Sequence, residues 1–127
     1  MDDLIQRYTE AWATRDPDLI VALHTVDTKF HSHIGREAAV GKAAVRQAFA
    51  DLFEQFPDLG FTAVSARTGP DFWVAEWRMT GTLAGTDARI DVDLIDVVTV
   101  EDGLVKSKDS YLDAVTLQAQ LGLVGAT

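Results

Sequence analysis

A single carboxylate set among aliphatic side chains is the residue in this chain best suited to chemistry. The stretch Ile90–Val100 reads IDVDLIDVVTV and alternates. Strand side chains repeat every two residues, so Ile90, Val92, Leu94, Asp96, Val98 and Val100 share one face. All but Asp96 are aliphatic. An ionised carboxylate in such a place must be paired, hydrogen-bonded or neutralised. An acid held that way on the wall of a small apolar pocket is suited to proton transfer.

The histidines are the next candidates. His31 and His33 are two residues apart, so on a strand they share a face, and with His24 they raise the question of a metal. No further residue in the sequence clearly completes a ligand set, so no metal is expected. Trp12, Phe49, Phe53, Trp73 and Trp77 read as core that can also wall a pocket. Asp91 and Asp93 read as a solvated face. Ile95, Val97, Val105 and Tyr111 fall on the other face of the sheet, where an exposed apolar patch would serve a homodimer.

Composition narrows the partners. The 127 residues suit one domain, 1–127, with a real core. A net charge of −9 argues against nucleic acid and anionic membrane. The absence of cysteine excludes disulfides and thiolate metal sites and fits a cytoplasmic protein. The opening MDDLIQRYTE is acidic and amphipathic, unlike a signal peptide. No apolar run approaches the ~20 residues of a membrane span.

These residues need elements to position them. Leu4, Ile5, Tyr8, Ala11 and Trp12 give one apolar face to a helix over Asp2–Thr14. Asp16-Pro17 reads as an N-cap and first helical residue, opening a helix to about His24. Lys29–Ile34 suits a short strand. Gly41 precedes a helix ending near Phe56, with Val45, Phe49, Leu52, Phe53 and Phe56 on its apolar face. Strands follow over Phe61–Thr68, Phe72–Leu83, Ile90–Val100 and Leu104–Leu112, with turns at Gly69-Pro70-Asp71 and Glu101-Asp102-Gly103. Asp113 caps a last helical turn ending at Gly122. Helices first and a meander after predict an α+β fold.

With the elements in this order the chain resembles the nuclear transport factor 2-like superfamily, and within it the SnoaL-like polyketide cyclase branch. The resemblance rests on QRYTEAW, RDPDLIVAL and VGKAAVRQAF in the three helices, then Phe56-Pro57-Asp58-Leu59, Gly81-Thr82 with Gly85, and Asp102-Gly103. It closes on Tyr111-Leu112-Asp113 and Gln120-Leu121-Gly122-Leu123. It implies a cone, with N-terminal helices packed on a strongly curved antiparallel sheet around an apolar pocket. Members include ketosteroid isomerases, polyketide cyclases, limonene epoxide hydrolases and proteins without known activity, so the fold alone does not give function.

Against the ketosteroid isomerases, Tyr8 matches the oxyanion-hole tyrosine and Asp96 the protonated acid. The base position falls at Ser32, which cannot replace a carboxylate. Strict alternation puts His31 and His33 on the face opposite Ser32. The water-activating positions of the epoxide hydrolases fall at Trp77, Met79 and Ser110, so that chemistry is disfavoured and these residues become pocket wall. Catalysis is expected from Asp96 and Tyr8. Substrate contacts are expected from Trp12, His24, Ser32, His33, Phe53, Trp77, Met79, Leu94, Lys108 and Ser110.

The hairpin register decides what Asp96 meets. A two-residue turn at Asp102-Gly103 makes Asp96 face Asp109. A three-residue loop makes it face Lys108, with Leu94 facing Ser110, and the resemblance favours this second register. The expected function is acid–base chemistry on a small hydrophobic molecule by an isomerase, cyclase or hydrolase with no cofactor. The alternative is a non-catalytic lipophile-binding or dimeric module of the same fold.

Overall fold

The computed structural model describes residues 1–122. In chain order the elements are α1 (Asp2–Ala13), α2 (Pro17–Val21), β1 (His24–Ser32), β2 (Ala39–Val40), α3 (Lys42–Gln55), β3 (Gly60–Thr68), β4 (Phe72–Thr82), β5 (Arg89–Glu101), β6 (Leu104–Leu112) and α4 (Ala114–Gln120). Leu123, the last residue of the closing sequence pattern, lies outside the described residues. The strands form one sheet in the order β2-β1-β6-β5-β4-β3. The fold is α+β as expected. The sheet is mixed, because β1 runs parallel to β6 while the other neighbouring pairs are antiparallel.

Helix α1 buries Leu4, Tyr8 and Ala11, spaced four and three residues apart on one face. Asp2 and Asp3 sit in its first turn, where the helix dipole favours negative charge. In α2, Pro17 opens the helix and the Asp16 carboxylate accepts the Asp18 backbone N–H at 2.9 Å. Helix α3 starts after Gly41, whose φ of +90° a residue with a side chain rarely adopts. These helices lay Ile20, Val21, Val45 and Phe49 against Trp73, Ala75, Val98 and Val105 of the sheet. A second cluster, Phe56, Leu59, Met79, Ile90, Val92 and Leu94, is covered by Leu117 of α4.

Three departures from the sequence expectations shape the site. Helix α2 stops at Val21 instead of near His24, and β1 begins at His24 instead of Lys29. The β-branched Thr25, Val26 and Thr28 favour the extended chain there. Second, β1 advances five residues from His24 to Lys29 while β6 advances two from Val105 to Ser107. That bulge turns both His24 and Thr28 into the core.

Third, β6 carries one extra residue against β5. Val100 opposes Val105 and Thr99 opposes Ser107, which leaves Lys106 unmatched. An extra residue flips side-chain parity. Val105 is therefore buried in the core rather than on the outer face that unbroken alternation predicts, and Lys108 and Ser110 also face inward. The short β2, paired with β1 at Lys29 and Phe30, carries no periodic signal and was not expected. No helix among the described residues is long and apolar enough to cross a membrane.

Candidate functional site

Asp96 lies where the alternation of β5 puts it. Its face carries Ile90, Val92, Leu94 and Val98, all buried, and Asp96 itself is 5% exposed. Across the ladders it opposes Ala75 of β4 and Ser110 of β6. The two-residue-turn register holds beside the turn, where Glu101 opposes Leu104 and Val100 opposes Val105, but the bulge at Lys106 shifts it by one before Asp96, which opposes neither expected partner. Asp109 opposes Val97 and Lys108 opposes Val98. Both Asp96 oxygens are nevertheless engaged. Ser110 Oγ donates to Oδ1 at 2.6 Å, and Lys108 Nζ donates diagonally to Oδ2 at 3.3 Å.

Lys108 is as enclosed as its partner, at 7% exposed. Its ammonium lies 4.6 Å from the Trp12 ring centroid and 5.0 Å from that of Tyr8, within cation–π range. Burial acts to lower its pKa. The neighbouring Asp96 carboxylate, by its charge and hydrogen bond, acts to raise it, and the net shift is upward from the ordinary lysine value. The pair is thus an ammonium hydrogen-bonded to a carboxyl group in an aromatic box.

Tyr8 reaches the same region from α1. Its hydroxyl is 2.9 Å from His24 Nε2, and His24 Nδ1 is 2.8 Å from Thr28 Oγ1. Burial pushes the Tyr8 hydroxyl up, and the opposing pull of the Lys108 charge does not cancel it, so Tyr8 is a neutral phenol. Burial, with the Lys108 and Lys42 charges, lowers His24 to about 3, so its ring is neutral at ordinary pH. A neutral imidazole has one donor and one acceptor nitrogen. Where Nε2–H donates to Tyr8 Oη, the Tyr8 proton is free for a ligand.

Two cavities flank the Asp96–Lys108 pair. One, of about 560 Å³, is walled by Ser32, Met79, Leu94, Ser110 and Leu117. The other, of about 600 Å³, is walled by Tyr8, Trp73, Ala75 and Trp77. Trp12, Phe61, Asp96 and Lys108 belong to both. The indole Nε1 of Trp12 is buried and has no partner among the described residues, leaving a donor at the partition.

The structure brings Asp96, Tyr8, Trp12, Ser32, Trp77, Met79, Leu94, Lys108 and Ser110 to these cavities. It does not bring the other three expected contacts there. His33 faces away, with Nε2 2.8 Å from Asp109 Oδ1 and its ring stacked on Tyr111 at 4.1 Å. It lies one residue past the end of β1, in the turn that follows, where Asp109 and Tyr111 hold its ring on the outer side. His24 lies behind Tyr8 and contacts the hydroxyl rather than the open space. Phe53 packs against Trp12 at 5.5 Å as part of the core. Thr28 and Phe61 were missed. Thr28 has no sequence signal, since only the β1 bulge turns it inward. Phe61 stands near the start of β3, and the strand beyond it is exposed on both sides, so no alternation of apolar and polar residues marks which way it faces.

Comparison with known proteins places this geometry. The sequence profile of a family described as a SnoaL-like domain matches residues 5–108. No curated protein sequence matches the chain significantly. A hypothetical protein from Catenulispora acidiphila with a ketosteroid isomerase-like fold, in complex with trimethylamine, superposes with a TM-score of 0.85 at 18% identity, covering 94% of this chain and 92% of its own. A provisionally named SnoaL-like polyketide cyclase from Jannaschia sp. gives 0.82 at 24% identity, covering 98% and 91%. A provisionally named isomerase from Bacillus subtilis gives 0.81 at 19%, covering 95% and 91%. At these identities the likeness shows the fold.

Proposed function

The chain belongs to the SnoaL-like domain family, and on that footing we propose that it is a small enzyme acting by acid–base chemistry, without a cofactor, on a hydrophobic substrate. One observation carries the reading: Asp96 meets both cavities, with its two oxygens held by Ser110 and Lys108. A carboxylate so held is aimed, and the apolar walls exclude water from around it. In this reading Asp96 takes a proton from a C–H made acidic by a neighbouring carbonyl. Tyr8 and Lys108 donate to the oxygen on which negative charge develops. Asp96 then returns the proton to a second position, which yields an isomerisation or assists ring closure. The water-activating side chains of the epoxide hydrolases are replaced by Trp77, Met79 and Ser110, so hydrolysis of that kind is not proposed.

The test is turnover of enolisable ketones and polyketide-like diketones, followed by ultraviolet absorbance, in the wild-type protein and Asp96→Asn. Loss of turnover with the fold retained is expected. A rate untouched by Asp96→Asn overturns the assignment. A second reading, a lipophile-binding module, draws on Ser32, which stands where a catalytic carboxylate would be. Tight binding of the same compounds with no turnover would select it. We further propose that the protein is a homodimer through the outer sheet face, which exposes Ile95 and Tyr111 as an opposed pair.

A further inference from the structure

We propose that His31, His33 and Asp109 form a binding site for a late divalent transition-metal ion, of the zinc class, on the outer face of the sheet. One donor atom from each residue lies within 4.8 Å of the others. All three are half-buried, so the donors are gathered but reachable. The backbone builds the cluster. β1 and β6 run side by side in parallel with His31 opposite Asp109, and the His33 N–H bonds to the Ser110 carbonyl at 2.8 Å. The parallel pairing thus carries His31 at the end of β1, and His33 in the turn just past it, to a carboxylate far along the sequence.

The rings are also oriented. His33 lies flat on Tyr111, with 4.1 Å between centroids and 7° between planes. His31 lies against His33, with 3.8 Å between centroids and the planes tilted by 37°. His31 Nε2 is 2.7 Å from the Arg36 carbonyl oxygen. A carbonyl only accepts, so Nε2 carries the proton and the Nδ1 lone pair of a neutral His31 is free. An imidazole that donates one N–H to a backbone carbonyl is the usual arrangement behind a metal-bound histidine. His33 Nε2 and Asp109 Oδ1 are hydrogen-bonded at 2.8 Å; an ion would take the place of the shared proton, and the two donors would move apart by about half an ångström to tetrahedral spacing.

The donor set selects the class of ion. Two neutral imidazoles and one carboxylate suit zinc, nickel or copper, whereas magnesium and calcium require mostly oxygen donors. Three protein donors leave a coordination position for water. The bound ion would tie the end of β1 to β6, behind Ser32 and Ser110 of the cavity wall. It takes no part in the acid–base reading above, and either can fail alone.

The test is calorimetric titration of zinc chloride into untagged, chelator-treated protein, with the visible spectrum of the cobalt(II) form as a second readout. One ion per chain is expected, with magnesium giving no heat. His33→Gln and Asp109→Asn should each weaken binding by about tenfold or more. Circular dichroism confirms that each variant is folded. The His31 and His33 ring resonances should shift together on zinc addition, while those of His24 stay in place. Failure of zinc to bind saturably, or binding unchanged by both substitutions, overturns the proposal.

Discussion

Lys108 and Asp96 form an ion pair across β5 and β6 without standing opposite each other. Asp96 opposes Ser110, yet Lys108 Nζ reaches Asp96 Oδ2 at 3.3 Å along the diagonal of the same sheet face. Both groups are buried, so each is the other's main compensation for lost hydration. Removing one partner strands the other. Lys108→Met is expected to cost about 3–5 kcal/mol, whereas Lys108→Met with Asp96→Leu should recover most of that loss. Urea unfolding midpoints of the wild type, both single variants and the double variant measure the coupling. Additive losses would show that the two groups do not act as a pair.

Tyr8 is expected to lose two things when its hydroxyl is removed. Tyr8→Phe leaves His24 Nε2 buried without its 2.9 Å partner, which should cost about 1–3 kcal/mol in urea unfolding. If Tyr8 donates to the reacting oxygen, turnover should also fall by ~10²-fold. The tautomer of His24 separates structure from catalysis. A proton on Nε2, read from nitrogen-15 chemical shifts, leaves the Tyr8 O–H free for a ligand. A proton on Nδ1 would commit the Tyr8 proton to His24 and remove Tyr8 from the donor role.

Acid should destabilise the fold through His24. Burial holds this ring's pKa at about 3 in the folded protein, against 6.5 for an ordinary histidine. Between those values the unfolded chain binds a proton that the folded chain refuses. Unfolding is then favoured as pH falls, and the neutral-ring contribution is complete only above about pH 6.5. The slope from this group alone is up to about 1.4 kcal/mol per pH unit. Denaturation midpoints of wild type and His24→Gln at several pH values isolate it. The stability advantage of the wild type should narrow as the pH drops through this window, and a constant gap would refute the assignment.

Much of this architecture is legible in the chain because local patterns agree with tertiary burial. The alternation of Ile90–Val100 places Asp96 inward, and α1 buries the Leu4, Tyr8, Ala11 stripe that its periodicity marks. Asp102 and Gly103 form the hairpin turn, with φ of 53° and 75°. What could not be read is set by bulges, which change parity without changing composition. The extra residue at Lys106 hides Val105 and moves Asp96 to Ser110. The bulge in β1 brings Thr28 beside His24. The parallel β1–β6 pairing joins His33 to Asp109, 76 residues away, and no local pattern announces such a contact.

The outer sheet face supplies the last prediction. Ile95 and Tyr111 oppose each other in the β5–β6 ladder and remain 43% and 48% exposed. Large apolar side chains paired on an open sheet face are suited to a two-fold interface, where one patch meets its own copy. Light scattering should therefore give twice the chain mass at micromolar concentration. Ile95→Asp combined with Tyr111→Asp introduces four buried carboxylates per dimer and should yield a folded monomer. Tyr111 also stacks on His33, so the substitution alters one wall of the histidine cluster. Ile95→Asp alone leaves that stack in place and should still weaken association. A dimer that survives both charges would place the interface elsewhere on the molecule.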